Sequence, residues 1–87
     1  MSTITSLRLA EIEITPKSYG QYSVHLVAHD ENGDVHHTSF HSTNSNMWDD
    51  VYDKDRYEQV KIAEGYPEVR RALDNKIVEI NSLFLMD

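Results

Sequence analysis

The chain has 87 residues and a net charge of −7, from 15 acidic residues against 8 Lys and Arg, and it has no cysteine. A chain of this length can build only one core, so residues 1–87 are predicted to form a single domain. The composition excludes disulfides and thiolate sites, and the charge argues against direct binding of nucleic acid or an anionic membrane. No signal peptide or membrane-spanning run is visible, and a cytoplasmic location is expected.

The first predicted element is a strand over "SLRLAEIEI", in which the apolar residues change phase. Leu7 and Leu9 share one parity, whereas Ile12 and Ile14 share the other. A β-bulge near Leu9–Ala10 would place all four large side chains on one face of the strand. We therefore predict a bulged strand here.

Two further predicted strands, "QYSVHLVAH" and "VHHTSFH", flank the turn "DENGD". A two-residue turn at Asn32–Gly33 would direct Phe40 away from the core. A three-residue loop with Gly33 in the left-handed conformation instead places Val24 opposite Phe40 and keeps one face apolar. A one-residue change of register reverses the face of every side chain, so burial of the apolar set favours the three-residue loop.

This hairpin holds all five histidines of the chain. In the predicted register His36 faces the core, and the other four form two diagonal pairs on the opposite face: His29 with His37, and His25 with His41. Each pair offers two imidazoles, fewer than the three or four ligands of a good metal site. A solvated sheet face is therefore predicted, with no metal or other cofactor; a partner contact and a metal site at the four paired histidines are the alternatives.

The segment "MWDDVYDKDRYE" predicts the start of the helical half of the chain. Its apolar residues recur at helical spacing: Met47, Trp48, Val51 and Tyr52. The overlapping segment "DKDRYEQVKIAEG" predicts a second short helix or a continuation of the first. Asp53 is its expected cap, and Gly65 stands where a C′ glycine belongs.

The last predicted helix begins at Pro67, because proline is tolerated in the first turn of a helix. Its apolar residues step by three or four positions: Val69, Leu73, Ile77, Ile80 and Phe84. That periodicity predicts an amphipathic helix. The fold class is therefore predicted to be α+β, a three-stranded antiparallel meander packed by C-terminal helices in the order β-β-β-α-α.

The acidic aromatic segment is also the predicted contact surface for a partner. Calcium binding is excluded because an EF-hand loop needs a central glycine. Carboxylates along a helix can imitate DNA phosphates and occupy a basic nucleic-acid-binding site; the alternative is an ordinary solvated helix face. The residues predicted to contact a partner are Asp49, Asp50, Asp53, Asp55, Trp48 and Tyr52, with Glu31 and Asp34 at the hairpin tip. No catalytic motif is present, and no enzyme activity is expected.

As a class, the chain resembles small acidic phage-encoded inhibitors of host proteins, such as anti-CRISPR proteins and the phage inhibitor of host dGTP triphosphohydrolase. The resemblance rests on a short chain without cysteine, the "ENGD" turn, the "TSF" strand, the segment "MWDDVYDKDRYE" and a terminal helix. It implies stoichiometric occupation of a partner's surface, and no site residue is transferred through it.

The predicted function is non-enzymatic inhibition of a larger host protein, whose basic surface would be blocked by the acidic surface of this chain. That basic surface would include a site that otherwise binds nucleic acid. The alternatives are a structural or accessory protein that forms a homodimer or larger homo-oligomer, and a histidine-rich metal-binding module.

Overall fold

The computed structural model describes residues 3–85 and the side chains of residues 3–83. Three strands form an antiparallel sheet with neighbours in chain order: β1 (Leu7–Pro16), β2 (Tyr22–Asp30) and β3 (Val35–Ser42). Three helices follow: α1 (Ser45–Val51), α2 (Arg56–Ala63) and α3 (Pro67–Leu85). The predicted α+β class and the three-stranded meander are confirmed, and the segment between α1 and α3 forms a separate second helix.

The bulge predicted in β1 is present where the apolar residues change phase. The pairing of β1 with β2 shifts between Leu9 and Glu11 and leaves Ala10 without an opposite residue. Leu9 is therefore buried on the same face as Ile12 and Ile14, which are half-buried. The bulge converts a broken alternation into one continuous apolar face.

The register of the β2–β3 hairpin is the one that buries the apolar residues. Val24 lies opposite Phe40 and Leu26 opposite Thr38, as predicted. Gly33 has a φ of 88°, in the left-handed region that glycine tolerates without a steric penalty. The three-residue loop forms because the alternative register would move the side chains of β3 to the opposite face and turn Phe40 away from the core.

The helices cover one face of the sheet and leave the other open. The buried core contains Leu9, Val24, Leu26 and Ala28 from the sheet and Met47, Val51, Ala63, Val69, Ala72 and Leu73 from the helices. Helix α2 packs beside β1, and α3 contacts β3 and β1. The open face carries the alternate residues of each strand, because successive side chains point to opposite sides.

One prediction at the ends of α2 is wrong, and the other holds for the position of the residue but not for the usual conformation. The cap is Asp55, which accepts a hydrogen bond from the Glu58 amide at 3.2 Å; Asp53 lies earlier, in the turn. Gly65 follows the C-cap residue Glu64 and so stands at C′, as predicted, but it is not in the left-handed conformation. Its amide donates to the Ile62 carbonyl and the next amide donates to Ala63, so the chain passes into α3 through tight right-handed turns.

Helix α3 begins at Pro67 and matches its predicted periodicity. Val69, Leu73 and Ile80 are buried, and Ile77 is half-buried. The Phe84 side chain lies outside the described residues. In the part of the chain that the structure describes, no helix combines the length and the apolar character needed to cross a lipid bilayer.

Candidate functional site

Helix α1 presents an acidic surface because its opposite side is anchored in the core. Met47 and Val51 are each 1% exposed and lie one helical turn apart. Asn44 caps the helix by accepting hydrogen bonds from the Asn46 and Met47 amides at 3.0 and 3.4 Å. The residues on the other side, including Asp49 and Asp50, are exposed.

Three aromatic rings stack beside these aspartates. The Trp48 ring lies between Tyr22 of β2 and Tyr52, with ring centroids 5.1 and 4.1 Å apart and interplanar angles of 20°. Trp48 is half-buried, whereas Tyr52 is 53% exposed. The stack therefore connects the sheet to an aromatic side chain on the surface. The sequence prediction named Trp48 and Tyr52 but missed Tyr22, whose position opposite α1 depends on tertiary packing.

The turn between α1 and α2 is held by a side chain that the sequence prediction did not single out. The Gln59 amide group donates hydrogen bonds to the carbonyl oxygens of Tyr52 and Lys54, at 3.1 and 2.7 Å. Asp53 lies within this turn, and Asp55 at its end caps α2. We call the surface formed by Trp48, Asp49, Tyr52, Asp53 and Asp55 the acidic-aromatic end.

No Lys or Arg forms an ion pair with the aspartates of this end within the residues whose side chains are described. The ion pairs of lysine and arginine in that part of the chain join Arg56 to Glu11 at 2.6 Å and Lys76 to Glu79 at 3.2 Å. Neighbouring carboxylates whose charge is not neutralised by ion pairs create a negative potential at the surface. Such a potential favours approach to a basic partner.

Asp50 is not included in the acidic-aromatic end, because its carboxylate has a partner within the fold. Its carboxylate accepts a hydrogen bond from the Tyr66 hydroxyl, which also lies 3.2 Å from the Asn46 carbonyl oxygen. Burial, reinforced by the hydrogen bond to Asp50, raises the pKa of Tyr66 to about 12. Asp50 thus ties α1 to the residue that precedes α3.

Alkaline titration should reveal this contact. One of the five tyrosines is expected to ionise near pH 12, and that step should be absent in Tyr66→Phe and move to lower pH in Asp50→Asn. The folded-state pKa lies above the ordinary value of 10.0, so the associated stability is present below pH 10 and is lost as pH rises through about 12. Ultraviolet absorbance measures the titration, and Tyr57→Phe, at an exposed position, is the control. An unchanged late step in Tyr66→Phe would contradict the assignment.

The two acidic residues of the hairpin tip lie at the other end of the sheet. Glu31 accepts hydrogen bonds from the Thr5 amide at 2.8 Å and from the Thr5 hydroxyl. The tip follows Asp30, whereas the aromatic stack rests on Tyr22, at the opposite end of this nine-residue strand. Eight steps of roughly 3.3 Å separate the two ends by about 26 Å. Glu31 and Asp34 therefore do not join Asp49, Asp50, Asp53 and Asp55 in one compact site.

The histidines occupy the predicted faces, but their pairing differs. Four are exposed on the open face of the sheet: His25, His29, His37 and His41. His25 Nε2 lies 3.2 Å from His37 Nδ1, so neither predicted pair, His29 with His37 or His25 with His41, is the contact observed. His25 lies opposite Ser39, which makes His37 and His41 its two diagonal neighbours. The twist of the paired strands makes the two diagonals unequal, and the contact forms on the His37 side.

His36 faces inward and meets a buried carboxylate that the sequence prediction missed. Its Nε2 lies 2.8 Å from Asp30 Oδ2. The other carboxylate oxygen accepts hydrogen bonds from the Asn32 and Asp34 amides at 2.8 and 3.0 Å. The hydrogen bond from His36 is the main reason that the pKa of Asp30 is lowered. An aspartate that begins a tight turn and binds the amide two residues later is a recognisable Asx-turn signal.

Among the described residues, no group of three or more His, Asp or Glu is arranged to hold a metal ion. No protein-family model, curated protein or solved structure matches the chain. The fold and its surfaces define a small α+β domain with an acidic-aromatic end and an open sheet face rich in histidine.

Proposed function

We propose that this chain is a non-enzymatic inhibitor that binds the basic surface of a larger host protein through its acidic-aromatic end. The observation that carries the proposal is the exposed Tyr52 ring, stacked on Trp48 and flanked by Asp49 and Asp53. Protein interfaces obtain much of their binding energy from aromatic anchors. Complementary charge around such anchors raises the association rate and the selectivity for the partner.

The geometry of this end suits a contact that forms with little rearrangement. Met47 and Val51 fix α1 to the core, and Gln59 holds the following turn through two hydrogen bonds. A surface that is already ordered loses less conformational entropy when it binds. The free chain would therefore present its carboxylates and the Tyr52 ring in the arrangement that the partner meets.

A basic site that normally binds nucleic acid is the partner surface we propose. Such a site uses Lys and Arg to neutralise phosphates, and carboxylates can occupy the same cationic groups. The net charge of −7 would attract the chain to such a surface from a distance. Inhibition would then follow from occupancy alone, without a chemical step.

A pair of charge-reversal variants tests this proposal. The immobilised chain should capture a host protein that elutes as the salt concentration rises, because salt screens exposed charges beyond about 10 Å at 0.1 M. Asp49→Lys with Asp53→Lys should weaken binding of the purified partner by more than about tenfold. Glu64→Lys with Asp74→Lys is the matched control, since it makes the same charge change at exposed positions elsewhere.

Affinity measured by calorimetry and the partner's own activity are the two readouts. Equal loss of affinity in both double variants would show that net charge alone matters and that the acidic-aromatic end is not the site. Binding that is insensitive to salt, or a captured partner whose activity is unaffected at saturation, would likewise overturn the proposal. Circular dichroism of each variant checks that the fold is retained.

A homo-oligomeric protein is the second candidate function, and the free edge of β3 favours it. β3 is the last strand of the sheet, and no further strand of the described chain lies beside it. An open edge presents unused backbone donors and acceptors to which a second copy could add a strand. Light scattering separates the candidates: a stable dimer that is unaffected by Asp49→Lys with Asp53→Lys would favour this one.

A further inference from the structure

The open face of the sheet holds one pair of histidine nitrogens at the spacing of metal ligands. His25 Nε2 and His37 Nδ1 are 3.2 Å apart. Two nitrogens that bind one tetrahedral Zn²⁺ at 2.0–2.1 Å are separated by about 3.3 Å. We propose that His25 and His37 form a two-histidine site for a borderline divalent ion such as Zn²⁺, Ni²⁺ or Cu²⁺. The site is independent of the function proposed for the acidic-aromatic end.

The backbone supplies this spacing before any ion arrives. His25 projects from β2 and His37 from β3, and their ring centroids are 5.3 Å apart with an interplanar angle of 34°. Both side chains are exposed, so an ion reaches them without local unfolding. In the free chain the contact is a hydrogen bond, so one of the two facing nitrogens carries the proton. When an ion binds, that proton moves to the other nitrogen of the same ring, and both facing nitrogens then have a lone pair for the ion. Small rotations of the two rings then direct both lone pairs towards the ion instead of towards each other.

The charge on the neighbouring strand favours a cation at this position. Glu13 of β1 lies directly opposite His25, and both residues line the same surface depression. Glu11 lines that depression too, but its carboxylate is paired with Arg56 at 2.6 Å. Glu13 is therefore the carboxylate of this depression whose charge is not offset by an ion pair among the described side chains. It acts through charge without completing a three-ligand group.

Two protein ligands leave the remaining coordination positions to water. The selectivity should follow the general order for imidazole sites, with Cu²⁺ bound more tightly than Ni²⁺ or Zn²⁺. Mg²⁺ should not bind, because it prefers oxygen ligands. Among the described side chains, the other exposed histidines, His29 and His41, make no comparable nitrogen contact, and they provide matched controls on the same face.

Zinc titration followed by NMR of the histidine side chains tests the site. At about pH 7.5, one equivalent of Zn²⁺ should shift the His25 and His37 resonances together. His25→Ala and His37→Ala should each lower the affinity for Zn²⁺ by more than about tenfold. Loss of a residue that only hydrogen-bonds to a metal ligand already costs about tenfold or more in metal affinity. His29→Ala and His41→Ala should leave the affinity unchanged, and Glu13→Gln should weaken it less than either ligand variant.

Two outcomes would overturn the assignment. One is the absence of a specific shift at one equivalent of Zn²⁺ in the intact chain. Another is a loss of affinity in His41→Ala equal to that in His37→Ala, which would place the site on the other diagonal. All five substitutions are at exposed positions, and circular dichroism verifies their folding. Asp49→Lys with Asp53→Lys should retain zinc binding, so failure of the metal site and failure of the proposed inhibitor function are distinguishable.

Discussion

Replacing Met47 by alanine is expected to lower the free energy of unfolding by about 2–5 kcal/mol, the range for removing a large buried apolar side chain. Met47 is 1% exposed and packs in the core with Val51 and the strand residues. Its loss removes apolar burial and leaves a cavity that the surrounding side chains fill only in part. The total stability of a small domain is about 5–15 kcal/mol, so this single change could remove much of it.

The same substitution should disturb the acidic-aromatic end. Helix α1 has seven residues, too few to be stable in water without tertiary packing. Loss of its anchor should loosen the stacking of Trp48 on Tyr22, and Trp48 is the one tryptophan of the chain. Its fluorescence should therefore shift towards that of a more hydrated ring, even under conditions in which the sheet remains folded.

Urea unfolding followed by circular dichroism and by Trp48 fluorescence measures both effects. Val78→Ala is the control, because Val78 is 65% exposed on α3 and such surface changes usually alter stability by less than about 0.5 kcal/mol. Equal destabilisation by the two substitutions would contradict the assignment of Met47 to the core. An unchanged fluorescence spectrum in Met47→Ala would show that α1 is positioned by other contacts.

Replacing Asp30 by alanine is expected to lower the melting temperature by more than about 5 °C. The carboxylate binds the Asn32 and Asp34 amides and the His36 ring, and its side chain is 1% exposed. Alanine would leave these donors without their acceptor in a partly buried place. Asp34→Ala is the control, because the Asp34 side chain is exposed in the same turn.

The contribution of Asp30 should also depend on pH in a defined direction. Its folded-state pKa lies below the ordinary 3.8, chiefly because of the hydrogen bond from His36. Stability from this group is therefore present above about pH 4 and is lost as pH falls through the lowered pKa. Asp30→Asn keeps an oxygen acceptor for the turn but cannot ionise, so its melting temperature should depend less on pH below 4. Parallel acid profiles for the Asp30→Asn variant and the original chain would contradict the assigned role of the carboxylate.

Several elements could be predicted from the sequence because burial imposes a periodicity on it. The phase change between Leu9 and Ile12 predicted the bulge, since one additional residue restores a common face. Val24, Leu26 and Phe40 predicted the hairpin register, against the preference of Asn32–Gly33 for a shorter turn. These inferences succeeded because one-dimensional spacing determines which side of a strand or helix a residue occupies.

Predictions that required distances between elements were less successful. Asp53 and Asp55 are two residues apart in an acidic run, and only the path of the turn decides which one caps α2. His25 has two diagonal neighbours, and only the twist of the sheet decides that His37 is the one in contact. Tyr66 shows no special signal in the sequence, yet packing brings its hydroxyl to Asp50.

By itself, the sequence determined the α+β class, the bulge, the hairpin register, the open face that carries four histidines, and the course of α3. The reason is that apolar side chains must leave water, and their spacing along a strand or helix specifies which face does so. Only the tertiary structure decided which charged and aromatic residues meet. It separated Glu31 and Asp34 from the acidic-aromatic end and engaged Asp50 with Tyr66. It also placed His25 against His37, because contacts between elements depend on strand twist and helix docking, which no local pattern encodes.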